Sequence, residues 1–478
     1  MMRLPQANLK YIVSIAVIFL LLGALPLYSQ NILEPDHSDN DSIPHYPDDQ
    51  QPVIPNDVPA DLDASFPKPG AIFPSLGSGK YFKWKEDLYK RHGIKLGFSY
   101  QAMVMGWPQS HAVSEESKTS AAGGNYLVEF QWKLFNRDKD YEGSITVAWD
   151  GRHDFGGIMP AVETFPETGS LYGQDATFIR WDPYVAILFW EQHLKKDRFW
   201  FRIGNISSAG ILDFFRYKDG RVSFTSPPVS ALSVHVIPYS VPSLGAAFKW
   251  NPKAGSQLYI SGAVQDINNT VGNFDWSPLF DYGEIFAGLE IGKHWFRGPG
   301  DFDHAHLMIF YSDKISSAGT TIQDQFIPIP TKAGWGFKVH GTKQWNKIVA
   351  FANYTYNTVE GGIGGIFAQT RQQFNVGLAR VQPFNVQGEL GFALMFSDPN
   401  PERMRMINNP ENPSEFILSS VYGGQARDQN QFATELYWRI LVLPDLWVTP
   451  GMQLVVNPTY NSRSDVVYVP YIKARAFF

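Results

Sequence analysis

Apolar and polar side chains alternate in segments of about ten residues that recur along this chain. One such segment is NYLVEFQWKL, residues 125–134, in which aromatic and aliphatic side chains alternate with Glu129, Gln131 and Lys133. The same period of two is found in IKLGFSYQAMV (94–104), EGSITVAWD (142–150), NVQGELGFALMF (385–396) and ATELYWRILV (433–442). A period of two predicts β-strands whose two faces meet different environments. About sixteen such segments can be counted between clusters of Gly, Pro, Asn and Asp.

Two architectures produce this pattern, a β-sandwich with a dry core and a transmembrane barrel whose apolar face meets lipid. Aromatic residues make up 15% of the chain, and the apolar faces of these segments are rich in them. Charges such as Glu389, Glu435 and Arg439 fall in the middle of the polar faces. A charge that faces lipid costs roughly 2–4 kcal/mol at the bilayer midplane, which explains this asymmetry. We therefore predict an all-β fold, a transmembrane antiparallel β-barrel of about 16 strands.

The N-terminus has the features of an export signal. Two basic residues precede an apolar stretch from Tyr11 to Leu25, and a helix-breaking proline follows it. We predict a signal peptide over residues 1–30, with a retained N-terminal anchor as the open alternative. Residues 31–79 begin with an acidic, Pro-rich stretch, which predicts a disordered arm. Residues 80–478 are assigned to the outer-membrane barrel, with a short helix at its start.

The charge balance bears on the solute. The chain holds 40 basic and 46 acidic residues, and 38 and 37 remain once the signal peptide and the nine acidic residues between 31 and 65 are set aside. A channel for phosphate or other anions is expected to have a surplus of Lys and Arg. The balanced body favours neutral solutes. We also predict no nucleic-acid partner.

Candidates for catalysis or metal binding are few. His304 and His306 share one strand face in DFDHAH, which could form half of a metal site, but the sequence offers no third ligand nearby. The chain has no cysteine. It contains no G-x-S-x-G motif, and no Ser/His/acid set can be brought together from the sequence. We therefore predict no metal, no cofactor and no enzymatic activity, with a barrel-borne hydrolase as the open alternative.

The segment from Asn205 to Ser240 is too long and too irregular for a hairpin turn, and it mixes charged with aromatic side chains. Long loops in compact proteins are usually functional or disordered, and the aromatic content argues against disorder. In a barrel such a loop can fold into the lumen and narrow it. There it would offer aromatic faces and hydrogen-bonding groups, a surface that suits sugars. An external loop over the barrel mouth stays open as the alternative.

The candidate channel-lining, substrate-binding residues come from this loop and from the polar strand faces. They are Asp213, Phe214, Phe215, Arg216, Tyr217, Lys218, Arg221, Glu129, Glu389, Glu435, Arg439 and Gln453.

The C-terminal sequence RDQNQFATELYWRILVLPDLWVTPGMQLVVNP, residues 427–458, resembles the carbohydrate-selective porins, the OprB-like family. In that family a D-Q-N stretch precedes a strand with alternating acid, Tyr and Arg, and L-x-x-T-P-x-x-Q-x-x-x-N-P leads to the final strand. WEQHLKKDRFWFRIGN (190–205) and RHGIKLGFSYQAMV (91–104) are similar to two earlier strand regions of the family. The resemblance implies a sixteen-stranded outer-membrane barrel that passes small sugars by facilitated diffusion.

The resemblance also implies location and partners. We expect the outer membrane of a Gram-negative bacterium, with its lipid and its barrel-assembly machinery as partners and small carbohydrates as solutes. The terminal Phe478, with Ile472, Ala474 and Ala476 behind it, resembles the signal that this machinery reads. Monomer and homotrimer are both compatible with the sequence. A general diffusion porin without sugar selectivity and a secreted sugar-binding β-sandwich stay open as alternatives.

Overall fold

A computed structural model gives the fold of the chain outside the predicted signal peptide and most of the predicted arm, both of which lie outside the described residues. The description covers Pro59, Leu62 and residues 66–74, 79–137, 139–175, 177–178, 180–195, 198–213, 215–230, 237–239, 241–253, 256–269, 274–295, 303–315, 332–359, 370–424, 426–427 and 429–478.

The described residues form sixteen strands. They are β1 (Ile94–Gly106), β2 (Ser120–Phe135), β3 (Gly143–Asp154), β4 (Trp181–Lys195), β5 (Phe199–Ile206), β6 (Ser243–Trp250), β7 (Leu258–Asp266), β8 (Ile285–Trp295), β9 (Asp303–Ser312), β10 (Gly334–Trp345), β11 (Ile348–Asn357), β12 (Thr370–Val381), β13 (Gly388–Pro399), β14 (Gln431–Leu443), β15 (Leu446–Val456) and β16 (Val466–Phe477). Each strand pairs antiparallel with its neighbours in sequence, and β1 pairs with β16 to close the barrel. The predicted sixteen-stranded barrel is confirmed. The alternative of a β-sandwich is wrong, because closure removes the open sheet edges that a sandwich keeps.

The two faces of the wall follow the sequence pattern. Outward positions carry exposed apolar side chains, as at Val128 and Leu394, which are 39% and 49% exposed. Inward positions carry the polar residues, and Glu129, Glu389 and Glu435 are all buried inside the barrel. In a bilayer, an outward apolar band is covered by lipid. Among the described residues, no helix has both the length and the apolarity to cross a membrane.

The two ends of the barrel differ. At the end where β1 starts, here called the turn end, connections are short, such as Asn346–Lys347 between β10 and β11. At the opposite loop end the connections are longer and hold small helices. The α-helices whose full ranges lie among the described residues are α1 (Gly79–His92), α2 (Phe165–Thr168), α3 (Ser277–Tyr282), α4 (Pro401–Asn408) and α5 (Pro413–Val421). Single-turn 3-10 helices span Gln109–His111, Ala161–Thr164, Ser208–Gly210 and Pro383–Asn385.

Large rings on the inner wall rest on glycines of adjacent strands. Tyr437 on β14 pairs with Gly391 and Gly451, and Tyr471 on β16 pairs with Gly451. A Cβ on Gly451 would come within 2.2 Å of the Tyr471 ring, and one on Gly391 within 2.3 Å of the Tyr437 ring. Each ring therefore lies flat over a neighbour that has no side chain, which frees space in the lumen.

The chain ends where the barrel closes. The N–H of Phe478 donates to the Phe98 carbonyl at 2.6 Å, and the N–H of Phe98 donates to the Phe478 carbonyl at 2.9 Å. The two rings stack on the outer side with centroids 5.8 Å apart. The last residue thus contributes to the seam between β1 and β16.

Deletion of Phe478 is expected to lower the amount of inserted protein, because it removes one pair of seam hydrogen bonds and the terminal aromatic residue. Conductance per inserted channel should stay near the wild-type value, since the Phe478 ring stacks on the outer side of the wall and its carbonyl supplies one of several hydrogen bonds, here from Lys85, that fix the N-terminal residues. Quantitative blotting of outer membranes combined with single-channel recording checks both points. An undiminished amount of inserted protein contradicts the assembly role.

Candidate functional site

The connection between β5 and β6 turns into the barrel. We call its described residues 207–213 and 215–230 the lumen loop. Nearly all of them are buried, although the loop belongs to no strand. A buried loop must find partners for its backbone groups within the protein. These partners come from inward-facing side chains on several strands of the wall.

Glu435 on β14 is the most heavily used of these partners. Its carboxylate accepts hydrogen bonds from the N–H groups of Thr225 and Ser226, each at 2.7 Å, and from the Thr225 hydroxyl at 3.0 Å. The Tyr471 hydroxyl donates to the same carboxylate at 2.5 Å. Two loop amides are therefore satisfied by one buried carboxylate, and charge-assisted bonds of this kind are stronger than neutral ones.

Basic and amide side chains satisfy carbonyls of the lumen loop. Lys473 on β16 donates to the carbonyls of Gly220 and Ser223, each at 2.5 Å. Asn375 on β12 donates to the Pro228 carbonyl at 2.7 Å. Residues on β12, β14 and β16 of the wall thus hold the loop.

Asp213 fixes the other end of the lumen loop. Its carboxylate lies 2.7 Å from the Lys338 ammonium on β10 and 3.6 Å from that of Lys218, and His306 Nε2 is 3.2 Å away. Its N–H donates to Glu290 at 2.5 Å. Burial alone would raise the pKa of Asp213, but Lys338 and Lys218 hold it well below its usual range.

Glu389 on β13 joins the loop to an aromatic cluster. Arg216 donates to it at 2.9 Å, and the hydroxyls of Tyr217 and Tyr437 donate at 3.2 and 2.5 Å. The rings of Phe215, Tyr217 and Phe224 pack around Phe351, with centroids 4.9 to 5.8 Å from it. The loop therefore presents rings and hydrogen-bonding groups side by side in the lumen.

The structure brings most of the predicted site residues together. Asp213, Phe215, Arg216, Tyr217, Lys218 and Arg221 lie in the lumen loop, and Glu389, Glu435 and Gln453 contact it. Arg439 packs over Trp447 at 4.7 Å and pairs in register with Glu389. Glu129 lies beside Gly97 of β1 and Leu62, and Phe214 lies outside the described residues. The role of all these predicted site residues in solute binding stays a prediction.

The three predicted cationic side chains of the lumen loop form ion pairs or hydrogen bonds with groups of the protein itself. Arg221 pairs with Asp219 at 2.8 Å, and Lys218 donates to the carbonyls of Ala209 and Leu212 at 2.8 and 2.7 Å. Arg216 pairs with Glu389 but its Nη1 has no hydrogen-bond partner among the described residues. Arg216 therefore keeps one donor atom that no group in the described part of the chain accepts.

Sequence reasoning missed the wall residues Lys338, Asn375, Lys473 and Tyr471. The alternation of β16 does place Lys473 and Tyr471 on the inner face, but it says nothing about their partners. Lys338 lies in a segment with a weaker pattern. The strand pairing also brings His294 and His340 next to His304 and His306. No three His or acidic groups in the described part of the chain are arranged to hold a metal ion.

The high-pH structure of Pseudomonas putida OprB is similar to this chain, with a TM-score of 0.62 at 15% identity over 84% of this chain and 97% of OprB. The low-pH structure of the same protein gives a TM-score of 0.46 at 12% identity over 84% and 97%. Outer-membrane-expressed OmpT of Vibrio cholerae gives 0.45 at 10% identity over 80% and 97%. No protein-family model and no curated protein matches the chain. The resemblance to OprB is confirmed at the level of the fold.

Replacement of Glu435 by Ala is expected to release the lumen loop, because the amides of Thr225 and Ser226 lose their acceptor. An unsatisfied buried group costs about 1–3 kcal/mol. Trypsin cleavage after Arg216, Lys218 or Arg221 should appear in Glu435→Ala and be absent from the wild type. Glu411→Ala, at an exposed position on the loop end, is the matched control. Uncleaved Glu435→Ala protein contradicts the anchoring role.

Proposed function

We propose that this chain is an outer-membrane porin that lets small neutral carbohydrates diffuse through its lumen. The observation that carries the proposal is the lumen loop, which sets the rings of Phe215, Tyr217 and Phe224 beside Arg216 and Glu389 inside a closed barrel. The short turns of outer-membrane barrels face the periplasm, so the turn end is assigned to the periplasmic side. The porin fold favours a channel over an enzyme.

Carbohydrate chemistry fits this lumen. A sugar ring has apolar C–H faces that can lie on aromatic rings, and its hydroxyls can both donate and accept hydrogen bonds. Arg216 Nη1 offers a donor and Glu389 an acceptor next to those rings. Each contact is worth on the order of 1 kcal/mol, which allows a solute to bind and still leave.

Charge balance supports a neutral solute. The cations of the lumen loop face carboxylates, as in the pairs Arg216–Glu389 and Arg221–Asp219. The described lumen loop holds three cations and two carboxylates, and the wall supplies a further carboxylate from Glu389, so the charges there nearly cancel. The body of the chain is nearly balanced as well, which gives an anion little net attraction.

Membrane location is tested by fractionation. The protein should stay with outer membranes after salt and carbonate washes and change its gel mobility on heating, because a closed barrel resists detergent until heated. Release without detergent would show that it is not an integral membrane protein.

Transport is tested in planar bilayers with a panel of neutral sugars. Sugars should block ion current, and Arg216→Ala should weaken the block several-fold, since one hydrogen bond of about 1 kcal/mol corresponds to a factor of about five. The same variant should raise ion conductance. Arg216→Lys should be intermediate between Arg216→Ala and the wild type in both sugar block and ion conductance. Asn409→Ala, at the exposed end of α4, should change neither property.

Wild-type channels that conduct ions without any sugar block would indicate a general diffusion porin. Hydrolysis of lipid or peptide substrates by the purified barrel would instead support the enzyme alternative. Retention of wild-type block and conductance by Arg216→Ala would remove the lumen loop from the selectivity mechanism.

A further inference from the structure

Four uncharged polar side chains form a patch on the inner wall between β11 and β12. We call Asn353, Thr355, Gln373 and Asn375 the amide patch. Thr355 pairs in register with Gln373, and Asn353 pairs with Asn375. The four side chains therefore form two neighbouring cross-strand pairs on the inner face of the wall. All four are buried, with at most 3% of each residue exposed.

The amide patch has more hydrogen-bonding capacity than the protein uses. Asn375 donates to the Pro228 carbonyl of the lumen loop at 2.7 Å and to Asn353 Oδ1 at 2.8 Å. Asn353 Nδ2, Asn375 Oδ1, Thr355 Oγ1 and both polar atoms of Gln373 have no partner among the described residues. Buried polar groups are costly unless something satisfies them.

The chemistry of these groups indicates the ligand class. Amides and hydroxyls in close proximity offer donors and acceptors together, which matches hydroxyl groups, because each hydroxyl donates one bond and accepts two. None of the four side chains carries a charge, so a phosphate or carboxylate finds no counter-charge in the patch. Phe351 lies on the next inward position of β11 and leads into the aromatic cluster of the lumen loop.

We propose that the amide patch is a binding subsite for the hydroxyl groups of a neutral carbohydrate. It lies beside the part of the lumen loop that contains Pro228, and it supplies hydroxyl recognition next to the Phe351 ring. The inference rests on the proposed function and adds to it the wall residues that would hold the solute. Ordered water in the same place is the competing explanation, since water also donates and accepts.

The test compares Gln373→Met and Thr355→Val, which keep side-chain size and remove hydrogen-bonding groups, in bilayer recordings with a neutral disaccharide. Both variants should weaken sugar block several-fold and leave ion conductance near the wild-type value. Gln131→Met makes the same change on β2, at another buried inward position, and should leave the block unchanged. Equal block in wild type and both patch variants overturns the subsite and favours water.

Calorimetry on detergent-solubilised protein separates this inference from the proposed function. If the wild type shows no current block but binds the disaccharide, and Gln373→Met binds it several-fold more weakly, the subsite holds without transport. If the wild type neither blocks nor binds, both proposals fail. If sugar blocks the wild type and both patch variants equally, the subsite proposal fails and the proposed transport function stands.

A different observation concerns the turn end, where N-terminal residues enter the barrel. We call Leu62, residues 66–74 and α1 the inset. Leu62 is 1% exposed, and its Cδ2 lies 2.8 Å from where a Cβ on the inward-facing Gly97 of β1 would be. Ala71 and Phe82 pack in one cluster with Leu441, Trp447 and Phe477, which face inward from β14, β15 and β16.

Polar contacts hold the inset in place. The N–H groups of Lys68, Ile72 and Phe73 donate to the carbonyls of Pro444, Leu441 and Val442 at 2.8, 3.1 and 3.0 Å. Lys85 on α1 is buried and donates to the Phe478 carbonyl at 2.9 Å, with the rings of Phe66, Tyr81 and Phe82 5.2 to 5.7 Å from its ammonium. The inset therefore connects the wall at β1 with the wall at β14.

We infer that the inset is a second, fixed constriction at the turn end, in series with the lumen loop. This inference needs only that the barrel conducts ions. Because the chain has no cysteine, the pair Leu62→Cys and Gly97→Cys can report docking by disulfide formation under mild oxidation. Leu62→Cys with Thr342→Cys, which lies on β10 across the barrel, should not cross-link.

Removal of residues 59–74 should raise single-channel conductance by about two-fold, since two constrictions in series limit the current. Sugar block should stay near the wild-type value, because the lumen loop is untouched. The double variant Leu62→Ala, Phe66→Ala should show a smaller increase in conductance. It replaces the deletion variant in this test if the deletion variant does not insert into the membrane. Unchanged conductance in both, or the absence of the 62–97 cross-link, overturns the inset as a constriction.

Discussion

Inside a bilayer no water is available to the backbone, so each N–H and C=O needs a partner in the protein. The pairing of β1 with β16 meets this requirement by leaving no open edge, and the seam continues to the pair Phe98–Phe478. Once the wall is closed, every strand has one face toward lipid and one toward the lumen. The alternation of apolar and polar residues follows from that geometry.

The same requirement governs the inside of the barrel. The lumen loop is irregular, so its amides and carbonyls depend on wall side chains. Glu435, Lys473 and Asn375 provide these partners, and Lys338 balances the charge of Asp213. Breaking a buried charge pair is costly, because the remaining charge has no solvent. Many charged side chains in the lumen are therefore bonded to the lumen loop. The groups proposed to bind a solute include uncharged ones, such as those of the amide patch.

Two elements enter the barrel from opposite ends. The lumen loop comes from the loop end and fills the space around Phe351, while the inset comes from the turn end and packs on Leu441 and Trp447. A solute that crosses would pass both. The amide patch lies on β11 and β12 of the wall, and the aromatic cluster joins Phe351 of β11 to rings of the lumen loop. Sugar binding is therefore assigned to this part of the lumen, and the inset is assigned a separate resistance to ion flow.

The sequence alone determined the barrel, its strand number and the face on which each residue lies, because a period of two and the cost of charge in lipid act within single strands. It also indicated the segment that forms the lumen loop from its length and aromatic content. It placed Glu129 with the loop, whereas the structure puts Glu129 near the inset. Only the tertiary structure decided that Glu435 meets Thr225, that Lys338 meets Asp213, and that Leu62 lies inside the wall. These contacts join residues far apart in the chain, and the local pattern that predicts the strands does not specify which side chains meet when the barrel closes.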